Sequence, residues 1–253
     1  MIEARDLSKC YAGVTVVRGA RFTVRTGEVV GLLGAQGAGK STLLHMLVGL
    51  VRPSAGEGVV AGVSTARDSF RIKDRVGYVA GSIPLPLRPT PREVFLQIGE
   101  VHAIPPQELE RRIEALVATF ELEQLVNLPL ARLQPEQRQR FNLARALLND
   151  PPALILDEPA HMPDLMRGDL LRLALRAASN AGKAVLVATR SISVAACLCH
   201  RVLLMDQGLV LEQGGVVEMG AEPPGEQANL AGKICLDQRS ALPSLLRPPP
   251  FPG

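Results

Sequence analysis

The sequence predicts an α/β fold with a mainly parallel core sheet, antiparallel strands ahead of it, and an α-helical lobe inserted into it. Three observations carry this. Short apolar runs at 29–33, 153–157 and 183–189 have the length and composition of strands buried on both faces. Residues 2–7 and 14–24 alternate in the β manner (Val14, Val16, then Phe22, Val24). From about 92 to 149 the strand pattern stops, and apolar residues recur at helical spacing.

Taken in order, the N-terminal strands lead into Val29-Val30-Gly31-Leu32-Leu33, and a helix follows at Thr42–Val48. A turn at Arg52-Pro53-Ser54-Ala55-Gly56 precedes a short strand at 58–62, a polar helix near 65–74 and a buried strand at 75–79. Residues 80–91 hold four prolines and fit neither a helix nor a central strand. In the lobe, Val94, Phe95, Ile98 and Val101, then Leu109, Ile113, Leu116, Val117 and Phe120, mark helical faces. Its last helix runs from Pro135 to Leu148, with proline at the first helical position. The strand 153–157, a helix at 165–179, the strand 183–189 and a hairpin turning at Asp206-Gln207-Gly208 complete the pattern. Strands alternating with helices place a ligand at the strands' C-terminal ends. Residues 220–253 form an extension with a Pro-rich end, read as disordered or polyproline-like over 240–253.

Composition narrows the function classes. The chain has 253 residues and 47% hydrophobic content, enough for one large domain with its own core. There are 28 Lys and Arg against 25 Asp and Glu, and aromatics make up 3%, so nucleic acid is not expected as a partner. Four cysteines without a paired C-x-x-C argue against zinc and for reduced thiols. The charged start, Met1 to Asp6, lacks a signal-peptide pattern, and no uncharged apolar run reaches spanning length.

The residues that carry chemistry lie first at 34–42: Gly34, Ala35, Gln36, Gly37, Ala38, Gly39, Lys40, Ser41 and Thr42. This is G-x-x-x-x-G-K-[ST] between a strand and a helix, the phosphate loop of a P-loop NTPase. Glycines let successive N–H groups point inward, and the helix N-terminus adds partial positive charge. Lys40 reaches the β- and γ-phosphates, and Ser41 ligates Mg²⁺. A Gly-rich turn without a ligand is the plainer reading; the strand before and the helix after weigh against it.

The second signal is Leu154-Ile155-Leu156-Asp157-Glu158-Pro159, an apolar strand delivering acids beside that loop. Asp157 is the second Mg²⁺ ligand, and Glu158 is placed to polarise an attacking water, the one catalytic candidate. A nucleoside triphosphate and Mg²⁺ are therefore the expected ligands.

The order of these parts over about residues 2–219 resembles the ATP-binding cassette (ABC) transporter ATPases, most closely the cassettes of type-2 exporters. The resemblance implies an ATP-binding domain over 1–219. Tyr11 falls at the family's adenine-stacking position. Asp164, after His161, Met162 and Pro163, falls at its dimer-contact aspartate. Three family positions are altered. The loop glutamine that senses the γ-phosphate is Gly81, which has no side chain to use. The signature L-S-G-G-Q reads Leu133-Gln134-Pro135-Glu136-Gln137, losing an N–H at Pro135 and gaining charge at Glu136. The switch histidine is Arg190, which stays charged and can pair with phosphate but cannot share protons.

The resemblance implies an ATP-binding subunit on the cytoplasmic face of the cell membrane, held there by an integral membrane transporter subunit that contacts residues 80–100. It also implies a homodimer, or a heterodimer with another cassette. Removing one preorganised transition-state donor costs about 3–4 kcal/mol, so weak hydrolysis is expected. A regulatory cassette that binds ATP and pairs with a competent one is the alternative. A cassette working without a membrane partner is the third reading; such relatives usually carry two cassettes or long coiled-coil insertions, and neither is present here.

Overall fold

A computed structural model describes residues 1–80, 88–159 and 169–215. Gly81, the 83–87 part of the Pro-rich stretch, His161 to Asp164, residues 165–168 of the expected helix and the C-terminal extension lie outside the described residues.

Two sheets form the core. The first has the order β2-β1-β4-β5, from β1 (Ile2–Tyr11), β2 (Val14–Val24), β4 (Ala55–Val60) and β5 (Val63–Ser64), all antiparallel. The second includes β3 (Val29–Leu33), β6 (Val76–Val79), β7 (Ala153–Asp157), β8 (Ala184–Thr189), β9 (Arg201–Asp206) and β10 (Leu209–Gly215). Its order is β10-β9-β3-β8-β7-β6, parallel except for the final hairpin. Gln207 and Gly208 both take positive φ at that hairpin's turn, matching the twist of the strands they join.

The helices are α1 (Lys40–Leu47), α2 (Ser69–Ile72), α3 (Pro91–Val101), α4 (Pro106–Thr119), α5 (Pro135–Leu147), α6 (Asp169–Asn180) and α7 (Ile192–Leu198). The helix expected near 65–74 shrinks to the four residues of α2, and α7 was not anticipated. Thr90 caps α3 in a reciprocal box with Glu93, and Pro91 takes the first helical position.

Alternation along the parallel strands divides the core in two. Val29, Leu154, Leu156, Val185 and Val187 pack with Phe95, Phe120 and Phe141 of the lobe. Val30, Leu32, Ile155, Leu186 and Leu203 pack on the opposite face with α1 and the antiparallel sheet. The lobe therefore shares a core with the sheet and does not build one of its own. Phe95 and Phe141 meet edge to face at 5.3 Å. At the strands' N-terminal ends the half-buried Glu28 accepts from Arg201 Nε at 2.6 Å and from the Arg25 N–H at 2.8 Å.

Candidate nucleotide site

The site lies where β3, β7 and β8 end together. Leu33 pairs with Thr189, and Asp157 with Ala188. The loop leaving β3 is wedged against its neighbours. Gly34 lies so near β9 that a Cβ would come 2.3 Å from the Met205 carbonyl oxygen. Gly39, at φ 102°, precedes α1, and a Cβ there would lie 2.6 Å from the Val16 carbonyl oxygen. Only glycine fits both positions. The hairpin turn supports the loop from behind, because the Gly208 N–H donates to the Ala38 carbonyl at 3.0 Å. Lys40, Ser41 and Thr42 open α1, so their N–H groups have no acceptor one turn earlier in the helix.

Lys40 is 6% exposed. Its ammonium donates to the Gly34 carbonyl at 2.7 Å and the Ala35 carbonyl at 3.0 Å, and lies 3.7 Å from Glu158 Oε1. Burial holds its pKa below the ordinary lysine value, against the opposing pull of Glu158 and Asp157.

Asp157 is 7% exposed, and its Oδ1 is buried without a hydrogen-bond partner. A carboxylate oxygen in that state fits a cation. Tyr78, from β6, packs edge to face with His45 of α1. Burial and then the Asp157 charge push its pKa up, so the phenol keeps its proton. Its hydroxyl is also buried and unpartnered. Sequence reasoning did not single out Tyr78; it sits on β6, separated from β3 by β8 and β7, and nothing local to it in the sequence marks it.

Glu158 takes a left-handed backbone, φ +46°, and its N–H donates to the Ala188 carbonyl at 2.8 Å. That turn aims the side chain back toward the loop. Its carboxylate lies 3.3 Å from Arg190 Nε and accepts from the Arg190 N–H at 3.3 Å. Arg190 Nη1 donates to Gln36 Oε1 at 3.4 Å. Residues from the phosphate loop, β7 and the end of β8 thus converge on one cleft. Ser41 is exposed at the start of α1 and Thr42 is half-buried.

Tyr11 is exposed at the end of β1, with Lys9 Nζ 4.9 Å from its ring centroid. Its strand partner Val14 lies two residues before Val16, which abuts the loop.

Residues 133–137, where the sequence leads one to expect an altered signature, form a strong helix start. The Gln137 side chain accepts from the Gln134 N–H at 2.8 Å, Pro135 is the first residue of α5, and Glu136 is exposed in the first turn. Each feature stabilises α5, and each makes its N-terminus a poorer anion site.

The ABC transporter family model matches residues 17–161. The chain belongs to the ABC transporter family. It is 35% identical over 213 residues to the Nod factor export ATP-binding protein I of Rhizobium johnstonii, covering 84% of this chain and 68% of that protein. It is 30% identical over 234 residues to the ABC transporter ATP-binding protein NatA of Bacillus subtilis, covering 90% of this chain and 95% of NatA. The chain spans 64% of the length of the Nod factor export ATP-binding protein I of Rhizobium meliloti. Among solved structures, a dimeric, post-hydrolysis state of the ATP-binding cassette MJ0796 bound to ADP and Pi superposes with a TM-score of 0.77 at 26% identity, covering 85% of this chain and 99% of that one. The fold is that of an ABC cassette.

Proposed function

We propose that the chain is the ATP-binding subunit of an export-type ABC transporter, binding ATP·Mg²⁺ at residues 34–42 and hydrolysing it slowly. The observation that carries this is the cleft itself. A buried ammonium, a buried carboxylate with an unpartnered oxygen and an arginine–glutamate pair all face one glycine-built loop. The loop N–H groups and Lys40 bind the phosphates. Ser41 and Asp157 hold Mg²⁺, which draws charge from the phosphate oxygens when bound. Glu158 orients water, Arg190 pairs with phosphate, and Tyr11 stacks on the base. The 1–219 boundary of the domain follows from the same reading.

Slow turnover follows from the signature. In a cassette dimer, Pro135 offers no N–H to the partner's nucleotide, and Glu136 sets negative charge beside it. Nucleotide binding and phosphate release should be measured separately. The expectation is saturable ATP binding that is lost in Lys40→Ala, with release well below about 1 per second. Turnover at an ordinary enzyme's rate of about 1–10 per second would overturn the slow-hydrolysis reading.

A membrane subunit is the proposed partner, docking on residues 80–100 and their surroundings. Supporting this, Leu50 (65%), Phe70 (72%) and Val101 (63%) are exposed apolar side chains. Phe70 and Val101 lie on α2 and α3, whose ends are joined by the His102–Asp74 contact. None of the described helices is long and apolar enough to cross a membrane; attachment to the inner face comes through that partner. Affinity purification that recovers only soluble proteins would count against this role.

The exposed Pro135–Glu136 start of α5 also favours the regulatory reading. There the chain completes its own site with a competent cassette's intact signature. ATP-dependent heterodimers are then expected on mixing, and persistence of homodimers alone would exclude the asymmetric arrangement.

A further inference from the structure

The core strands have a second end, opposite the nucleotide cleft. There, where Glu28 precedes β3 and Arg201 opens β9, a cavity of about 640 Å³ lies among residues of both sheets. That volume falls in the range of small-molecule sites, about 300–1,000 Å³. Four of its nine lining residues are arginines, Arg5, Arg21, Arg25 and Arg201, against two acids, Asp6 and Glu28.

The strand that forms one wall is bent to do so. The register of β1 breaks between Ala4 and Leu7 against β2, and between Arg5 and Ser8 against β4. Asp6 takes a left-handed backbone, φ +53°, and a Cβ at Gly56 would come 2.1 Å from the Asp6 carbonyl oxygen, so glycine admits the bulge. A regular strand sends consecutive side chains to opposite faces, yet Arg5 and Asp6 both line this cavity.

The four guanidinium groups differ in how firmly they are held. Arg201 is fixed, its Nε donating to Glu28 at 2.6 Å and its Nη2 to the Thr23 carbonyl. Arg5 lies 2.6 Å from Glu3 and 3.7 Å from Glu57. Arg21 donates to Asp6 Oδ2 at 2.7 Å, but the two side chains are 75% and 55% exposed, and so open a pair is worth little. The Arg25 N–H donates to Glu28, while its exposed guanidinium has no hydrogen bond or ion pair among the described residues. Arg21 and Arg25 are therefore available to a ligand. Glu28 already accepts from two donors, so Asp6 is the acid that an incoming anion must displace.

We propose that this cavity is a second ligand site, taking a small soluble molecule with two or more phosphate groups. Such a ligand displaces Asp6 from Arg21 and gains Arg25 as well, whereas a single phosphate only exchanges one anion for another. The guanidinium fork matches phosphate oxygens in pairs. The bound ligand joins β2 to the segment before β3 and the start of β9, and so ties the antiparallel sheet to the parallel one. The site does not draw on the phosphate loop, and it stands or falls apart from the reading of the nucleotide cleft.

The test titrates inorganic pyrophosphate, without metal, into the full chain by calorimetry. Lys40→Ala is present throughout, so that the phosphate loop does not report. Saturable binding is expected, and inorganic phosphate should bind at least about tenfold more weakly. Arg21→Gln combined with Arg25→Gln, both exposed and outside the core, should weaken pyrophosphate binding about tenfold. Asp6→Asn should instead tighten it, since Arg21 is then released without competition. No saturable binding of pyrophosphate, or binding that the paired arginine substitutions leave unchanged, overturns the site. Sedimentation with vesicles of phosphatidylcholine and phosphatidylglycerol separates a free ligand from a lipid headgroup. Arginine-dependent association with the vesicles, and none with pyrophosphate, overturns the soluble ligand.

Discussion

Replacing Gly34 by alanine tests whether the phosphate loop depends on its contact with β9. The added methyl would lie 2.3 Å from the Met205 carbonyl oxygen and 3.2 Å from Ala38 Cβ, where ordinary contact begins at 3.4 Å. The first neighbour is backbone, so relief requires the loop and β9 to part by about 1 Å. Overpacking of this kind costs about 1–3 kcal/mol. At about 2–4 °C per kcal/mol for a chain of this size, the midpoint should fall by roughly 2–12 °C. The same movement displaces the Gly34 carbonyl that holds Lys40 at 2.7 Å. Nucleotide affinity should fall about tenfold as Lys40 loses its support. At a nucleotide concentration 100 times the wild-type Kd, binding stabilises wild type by about 2.7 kcal/mol, and a tenfold weaker variant by about half that. Thermal unfolding with and without ATP reads both effects in one experiment. Gly182→Ala is the control: φ is +80° with open space around it, so it carries backbone strain alone and should leave the ATP-induced shift unchanged. A Gly34→Ala protein with the wild-type midpoint and the wild-type ATP shift would refute the reasoning.

Other expectations follow from the same structure. Phe141→Ala removes a fully buried ring packed on Phe95 and should cost about 3–5 kcal/mol by denaturant titration; a loss under about 1 kcal/mol would mean the lobe does not share the sheet's core. Burial works against the Glu28 carboxylate, but the Arg201 and Arg25 donors outweigh it and hold its pKa below the usual value. Glu28→Gln should therefore cost about 1–3 kcal/mol near pH 7, allowing for partial exposure. That gap should close as the pH falls through the lowered folded-state value, and a gap that stays constant into acid would argue against the ion pair. Lys40 has a lowered folded-state pKa, so the unfolded chain binds more protons between that value and about 10.4. Wild-type stability should rise with pH relative to Lys40→Met across that window, and parallel profiles would contradict the cause assigned to the shift.

The parallel strands and the phosphate loop were legible because their signals are local. Val29 to Thr42 states strand, loop and helix in one run, and 153–158 states strand and acids. The helix α7 was missed although Ser191 supplies a cap, its Oγ accepting from the Val194 N–H at 3.3 Å. Its seven residues include β-branched Ile192 and Val194, which hide so short a helix. The Arg190–Glu158–Gln36 bridge was not legible at all. It depends on the left-handed turn at Glu158 and on side chains far apart in sequence. Arg190 was recognisable as an unusual residue, but what it touches was not. The same holds for Tyr78 and the Asp157 oxygen, whose significance lies in unmet hydrogen bonds.

The position of β3 bears on how the protein is made. Val29 pairs with Val185, and Val30 with Arg201, so both neighbours of the strand that launches the phosphate loop come from the far end of the chain. At about 5–20 residues per second, a ribosome needs roughly 8–30 s to add the residues that separate Val29 from Val185. During that interval the loop's sequence exists without either flanking strand, and without the Met205 and Gly208 contacts that shape it. Such long-range pairing also slows folding, because chain closure must precede any reward. A nascent chain should not acquire nucleotide affinity gradually. It should acquire it in one late step, once β9 and the turn after it have left the ribosome, which would make nucleotide capture a marker of a finished domain.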